Sequence, residues 1–179
     1  MPAHQYVEMQ RPWRATVDVS SRHPSRYLGL LMTQALRNSL PARRRLGAVQ
    51  AAAARRGLLR APVTVAAQAR RRVGQPALDD LRRALTERWP ELAAGSPRLP
   101  ARPPELSVLM LPRSAAETVF VFGEPTHPLL VCKLPRGDDP RAAAEHAALQ
   151  RLDPTGLAPR ALGRVGEAWV QEGLPGEPV

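Results

Sequence analysis

The sequence is poor in residues that build several common kinds of site. It has one cysteine, Cys132, in 179 residues, which excludes an internal disulfide and a cysteine-based metal site and predicts a reducing, cytoplasmic location. Aromatic residues make up only 4% of the chain, so few side chains are available to stack on unpaired nucleic acid bases. No stretch approaches the roughly 18 apolar residues of a membrane span, and the start of the chain lacks the apolar core of a signal peptide. The sequence therefore predicts a soluble protein that does not contact a membrane.

Lysine is the scarcest of the charged residues, since Lys133 is the only one among 26 basic residues. The formal net charge of +10 is unevenly distributed: residues 1–104 carry 19 arginines and six acidic residues, whereas residues 105–179 carry six arginines, Lys133 and ten acidic residues. A basic N-terminal half is compatible with binding to nucleic acid or to an acidic partner. Its arginine clusters come without a recognisable nucleic-acid-binding motif, which favours solvated helix faces over phosphate contacts. These clusters are 43–45, 55–56 and 70–72.

Residues 1–95 are predicted to be a mostly helical basic region of unassigned function. Residues 14–21 alternate between apolar and polar side chains, which predicts one short strand. Helices are predicted from Pro24 to the residue before Pro41, over 41–57, and over 76–89, where Leu78, Leu81, Leu85 and Trp89 recur at helical spacing. The stretch that follows is rich in proline, which predicts a linker over 96–104.

Residues 105–179 change to the pattern of short strands. Apolar runs bounded by proline or glycine predict strands at 105–112, 118–125 and 128–135. A helix then begins with Asp139 as the N-cap and Pro140 in the first helical position, and it ends at Pro154. Strand-like runs return at 160–166 and 167–173. The order β-β-β-α-β-β predicts an α+β fold.

Lys133 and Glu145 are predicted to contact each other. Alternation in the third strand places Val131 and Lys133 on one face, and the helical period places Glu145 on the same side as apolar residues of its helix. A charged group on an apolar face costs several kcal/mol to desolvate unless it has a partner. The apolar neighbours of Glu145 in that prediction are Ala142, Ala148, Leu149 and Leu152.

This segment resembles the small lobe of the protein-kinase-like fold, and most closely the aminoglycoside and small-molecule phosphotransferases. "VFVFGEPTHPLLVCKLPR" is similar to the second and third strands of that lobe, "DPRAAAEHAALQRL" to its helix, and "APRALGRVGEAWVQEGLPGEPV" to the last two strands and the hinge between the lobes. The resemblance implies a five-stranded antiparallel sheet with one helix over residues 105–179, truncated at the hinge. It does not extend to residues 1–104.

The resemblance also implies a binding site for ATP. Lys133 would bind the α and β phosphates, and Glu145 would orient Lys133. Backbone groups of Glu172 and Leu174, just after Gln171 in the gatekeeper-like position, would meet the edge of the adenine ring. Ser114 would contribute a hydroxyl to the phosphate-covering loop, although "LPRSAAET" lacks the glycines that this loop often has.

The groups that complete phosphoryl transfer are missing from the pattern. The family places the carboxylate that receives the substrate hydroxyl, and the Mg²⁺ ligands, in an H-x-D-x-x-x-x-N loop and a D-F-G-like segment. None of the four histidines is followed by such a loop. The expectation is therefore a nucleotide-binding lobe that binds ATP, takes Mg²⁺ only with a catalytic lobe, and is inactive alone. The complete enzyme would phosphorylate a small-molecule hydroxyl.

Each of these assignments has a structural alternative. Lys133 is also compatible with an edge-strand lysine that reaches solvent, and Glu145 with a pair to Arg141 four residues earlier. His146 points about 100° away from Glu145 around the helix and is expected to be exposed. Cys132 is expected to be a buried core residue, as are Trp89 and Trp169. For the whole chain, the alternative is a non-enzymatic module whose arginine-rich helices contact nucleic acid or an acidic partner.

Overall fold

The computed structural model describes residues 4–9, 14–37, 48, 51–56, 69–112, 116–123, 127–137 and 140–175. The fold is α+β, as predicted, and its strands form one antiparallel sheet. The strands are β1 (Gln5–Met9), β2 (Ala15–Asp18), β3 (Ala69–Val73), β4 (Ser107–Pro112), β5 (Ala116–Phe122), β6 (Leu130–Pro135), β7 (Ala161–Val165) and β8 (Ala168–Glu172). The helices are α1 (His23–Arg37), α2 (Pro76–Glu87), α3 (Trp89–Gly95) and α4 (Arg141–Leu152), and a 3-10 turn (Asp153–Thr155) follows α4.

Within the described residues the sheet has eight strands in the order β3-β1-β2-β4-β5-β6-β8-β7, so the prediction of a five-stranded sheet was wrong. The additional three come from the N-terminal region, because β2 pairs with β4 and continues the sheet. Only β2 was predicted from the sequence. β3 was missed because it contains the arginine cluster 70–72, and charged residues are typical of an edge strand. Of the other arginine clusters, 55–56 is exposed and lies at the end of helical residues 51–55. The cluster 43–45 lies outside the described residues.

The predicted order of elements after residue 105 is confirmed. β4, β5 and β6 form a meander, α4 follows, and β7 and β8 form a hairpin whose second strand pairs with β6. α4 begins at Arg141 with Pro140 as its N-cap, one residue later than predicted, and Asp139 lies outside the described residues. Gly166 at the β7–β8 turn has a φ of +57°, a conformation that glycine adopts at little cost.

Each face of the sheet is covered by its own hydrophobic core. On one face, the predicted apolar stripe of α2 is confirmed, because Leu78, Leu85 and Trp89 are buried against β4, β5, β6 and β8. On the other face, α1 and helical residues 51–54 pack on β1, β2, β4 and β5. α4 contacts β6, β7 and β8. No helix within the described ranges is long and apolar enough to cross a membrane.

Residues 96–104, which the sequence predicts to be a linker, are anchored to the rest of the protein by two buried residues, Ser96 and Leu99, while most of the others are exposed. Leu99 belongs to the core under α2 and α3. The indole nitrogen of Trp89 donates a hydrogen bond to the carbonyl of Pro100 at 2.8 Å. This segment therefore runs along the sheet on its way from α3 to β4, and the domain boundary placed there stays a prediction.

Candidate functional site

Lys133 lies in the middle of the sheet, on β6. Its neighbours in register are Thr118 on β5 and Trp169 on β8. Cys132, on the opposite face, is fully buried in the core, as predicted. Burial raises the pKa of the Cys132 thiol to about 12, so this cysteine is an inert core residue rather than a nucleophile.

The predicted contact between Lys133 and Glu145 is present. The ammonium nitrogen of Lys133 lies 3.4 Å from Oε1 of Glu145, and the two side chains are 23% and 48% exposed. An ion pair that is partly open to water stabilises a fold by at most about 1 kcal/mol. An ammonium group has three donors, so a lysine held by a single carboxylate oxygen retains donors for a second anionic group.

The helix that carries Glu145 is oriented differently from the prediction. Its buried residues are Ala142 and His146, whereas Glu145 and Leu152 are exposed. The predicted apolar face, which ran through Glu145 to Leu152, is therefore wrong. α4 approaches the sheet through a small residue and a flat ring one turn apart, and this places Glu145 at the border of the contact.

His146 was expected to be exposed, and this expectation is wrong because the residue is only 4% exposed. The ring lies on the indole of Trp169, with 4.6 Å between centroids and 35° between planes. Its Nε2 has no hydrogen-bond partner among the described residues. Burial lowers the pKa of His146, which favours the neutral ring. Trp169 itself is partly exposed, unlike Trp89, which is buried as predicted.

A strip of half-buried side chains lies beside Lys133 on the same face. Phe120, Val131 and Gln171 occupy successive strands in register, and all three are partly exposed. Helices pack at both ends of this strip: α1 contacts β4 and β5, with 5.2 Å between the ring centroids of Tyr27 and Phe120, and α4 contacts β6, β7 and β8. A mostly apolar, partly exposed strip next to an ammonium group offers apolar contacts to a ring and a charge to an anionic tail.

The other predicted contacts lie at the end of β8. The backbone N–H of Glu172 donates a hydrogen bond to the carbonyl of Arg160 at 2.9 Å, and the backbone N–H of Gly173 donates one to the carbonyl of Leu129 at 2.8 Å. The Glu172 side chain is buried on the face opposite Lys133, so it does not face the same side of the sheet as the ammonium group. Leu174 is exposed. Ser114 lies outside the described residues.

A second cluster of charged residues was not foreseen from the sequence. The Asp18 carboxylate, which is fully buried, lies 2.8 Å from Nδ1 of His4 and 3.4 Å from the Arg82 guanidinium. Arg82 also contacts Asp79, which accepts a hydrogen bond from the Tyr6 hydroxyl at 2.8 Å. Burial alone would raise the pKa of Asp79, but hydrogen bonds from Tyr6 and the Gln75 N–H, together with the charge of Arg82, lower it.

The signal for this cluster was the position of Arg82, four residues after Leu78 on the apolar stripe of α2. A charge on a buried stripe requires a partner, but the partner Asp18 is 64 residues away in the chain. A cavity of about 520 Å³ lies beside the cluster. Its lining includes His4, Asp79, Arg82, Glu87, Glu105 and Leu106.

Comparisons with protein-family models, with curated proteins and with solved structures give no match to this chain. Within the described residues, no group of three or more histidine, cysteine, aspartate or glutamate side chains is arranged to hold a metal ion.

Proposed function

We propose that the Lys133 face of the sheet binds ATP, and that this chain is the nucleotide-binding part of an ATP-dependent phosphotransferase that acts on a small-molecule hydroxyl. The observation that carries the proposal is the position of the Lys133 ammonium, 3.4 Å from Glu145 and next to the partly exposed strip of Phe120, Val131 and Gln171. The strip would receive the adenine ring, and the ammonium would bind the phosphates.

The choice of lysine fits this role in a protein that otherwise uses arginine. An ammonium group is a compact charge on a flexible stem, which suits a phosphate that approaches along a strand, whereas a guanidinium is a rigid planar fork. Glu145 limits the rotamers of Lys133 by attracting its charge, so that less entropy is lost when phosphate binds. Both residues act by binding and orientation, and neither is a proton acceptor for the substrate.

Phosphoryl transfer requires more than this face provides. A carboxylate must orient the attacking hydroxyl, and Mg²⁺ must neutralise the charge that develops on the phosphates. The sequence has no loop of the expected form for either task. We therefore propose that this chain binds ATP without transferring phosphate, and that Mg²⁺ and the small-molecule substrate bind only together with a catalytic lobe.

The proposal predicts that ATP, titrated without Mg²⁺ into the purified chain, binds with an affinity that depends on Lys133. Lys133→Met should weaken binding about tenfold or more, because a charged hydrogen bond to phosphate is lost. Glu145→Gln should weaken it less. The two changes should be non-additive, because Glu145 acts only through Lys133. Isothermal titration calorimetry on the four proteins of the cycle measures all of these effects.

Arg83→Met provides the matched control. Arg83 is exposed, pairs with Asp80 at 3.2 Å and lies on α2, on the opposite face of the sheet. Arg83→Met removes one positive charge, as Lys133→Met does, so a general electrostatic attraction for ATP would be reduced equally by both variants. Equal effects of Lys133→Met and Arg83→Met, or no ATP binding by the unmodified chain, would contradict the proposal.

A further inference from the structure

The segment between α3 and β4 is fastened to the end of β8. The Ser96 hydroxyl donates a hydrogen bond to Oε1 of Glu172, and Ser96 and Glu172 are 1% and 6% exposed. The Arg98 guanidinium lies 3.8 Å from the other oxygen of the same carboxylate. The backbone N–H of Arg98 donates a hydrogen bond to the Ser96 hydroxyl at 3.2 Å. One buried carboxylate thus gathers the main contacts between the two segments.

A second set of bonds holds the same strand end through its backbone. The Arg160 guanidinium donates to the carbonyl of Gly95 at 3.0 Å, and the Arg160 carbonyl accepts the Glu172 N–H. On the other side, a side chain on Gly173 would place its Cβ 1.8 Å from the Pro128 carbonyl oxygen, so no larger residue fits there. The backbone at 172–173 is therefore fixed from both sides.

The Glu172 carboxylate has a role that core packing alone does not explain. A buried carboxylate is costly unless its oxygens are hydrogen-bonded, and an apolar side chain would fill the same space at lower cost. Along β8, Glu172 alternates with Gln171, which belongs to the partly exposed strip beside Lys133 on the other face. Fixing the carboxylate on one face therefore fixes the position of the backbone that borders the ligand strip on the other.

We infer that Ser96 is a positioning residue for the nucleotide: by holding Glu172 from the far side of the sheet, it sets the backbone that meets the adenine edge. The inference rests on the proposed ATP site, and it gives the N-terminal region a task in that site. Ser96 contacts neither adenine nor phosphate, so its effect should be confined to the base end of the ligand.

The test compares ATP with inorganic tripolyphosphate, which has the phosphates but no base. In Ser96→Ala, the Glu172 carboxylate loses its buried donor and the strand end shifts. ATP binding should weaken about tenfold, while binding of tripolyphosphate should stay within about twofold of the unmodified chain. Both constants are measured by calorimetry on the full chain without Mg²⁺.

Ser25→Ala is the matched control for loss of a buried serine. The Ser25 hydroxyl is 2% exposed and donates to the Ala54 carbonyl at 2.9 Å, in the core under α1. Ser25→Ala should lower the melting temperature without changing the ratio of the affinity for ATP to the affinity for tripolyphosphate. If Ser96→Ala does not fold, Arg98→Met, at an exposed side chain, should show the same selective loss to a smaller degree.

The outcomes separate this inference from the proposed function. If the unmodified chain binds neither ATP nor tripolyphosphate, both fail. If it binds ATP more tightly than tripolyphosphate, but the Ser96 and Arg98 variants keep that preference or lose both ligands equally, the ATP site stands and the positioning role is overturned.

Discussion

His146 is the residue whose environment differs most from its place in the sequence pattern. Its ring is buried against Trp169, and burial lowers its pKa. As the pH falls below about 6.5, the unfolded chain binds a proton that the folded protein disfavours. The stabilising effect of the neutral ring is therefore complete above pH 6.5 and is lost progressively at lower pH.

His146→Phe should keep the ring contact with Trp169 and remove this dependence. The free energy of unfolding, measured with urea at pH 7.5 and at pH 5, should fall less for the variant than for the unmodified protein. Burial, together with the charge of Arg26, also lowers the pKa of His23. His23→Phe should therefore remove a separate part of the loss in unfolding free energy between pH 7.5 and pH 5. An unchanged loss of stability in His146→Phe would mean that the proton is taken up elsewhere.

At the scale of elements, α2 packs on the sheet through the apolar stripe predicted from the sequence. Leu85, which is part of that stripe, is fully buried between the helix and the sheet. Leu85→Ala should lower the free energy of unfolding by about 2–5 kcal/mol, because it leaves a cavity against the sheet. Arg83→Ala, on the exposed side of the same helix, should change it by no more than about 0.5 kcal/mol. Denaturant unfolding of the two variants makes the comparison, and similar losses would contradict this packing.

The elements that were predictable are those whose own residues determine their type. The spacing of Leu78, Leu81 and Leu85 specified a helix, and alternation along β6 placed Lys133 and Cys132 on opposite faces of the sheet. β1 and β3 were missed because a strand is defined by the strand that it pairs with, and among the described residues β3 pairs with β1 alone. The rotation of α4 was missed because His146 is buried against Trp169, a contact between distant residues that no local pattern records.

The candidate site follows the same division. The contact between Lys133 and Glu145 was predicted because each is a charge in an apolar sequence pattern, although the apolar pattern around Glu145 is not the buried face of α4. The contact of Ser96 with Glu172 joins residues 76 positions apart, across a segment that the sequence presents as a linker. Proline content indicates that a segment is not helical, but it does not indicate whether the segment packs.

At the scale of the whole molecule, the sheet joins the two halves that composition and charge divide. β4 pairs with β2, and Val108, Val119 and Val121 are covered by α2 and α3. A fragment of residues 105–179 would leave these apolar side chains exposed and β4 as an unpaired edge. It should therefore lack a cooperative unfolding transition.

A fragment of residues 76–179 is the informative comparison, because it restores α2, α3 and the contact between Ser96 and Glu172 but not β2. It should unfold cooperatively at a lower temperature than the full chain, as followed by circular dichroism. A sharp transition in 105–179 alone would instead support the domain boundary predicted at 96–104. The stability of the β4–β8 region thus depends first on the helices that cover one face and second on the strand that extends its edge.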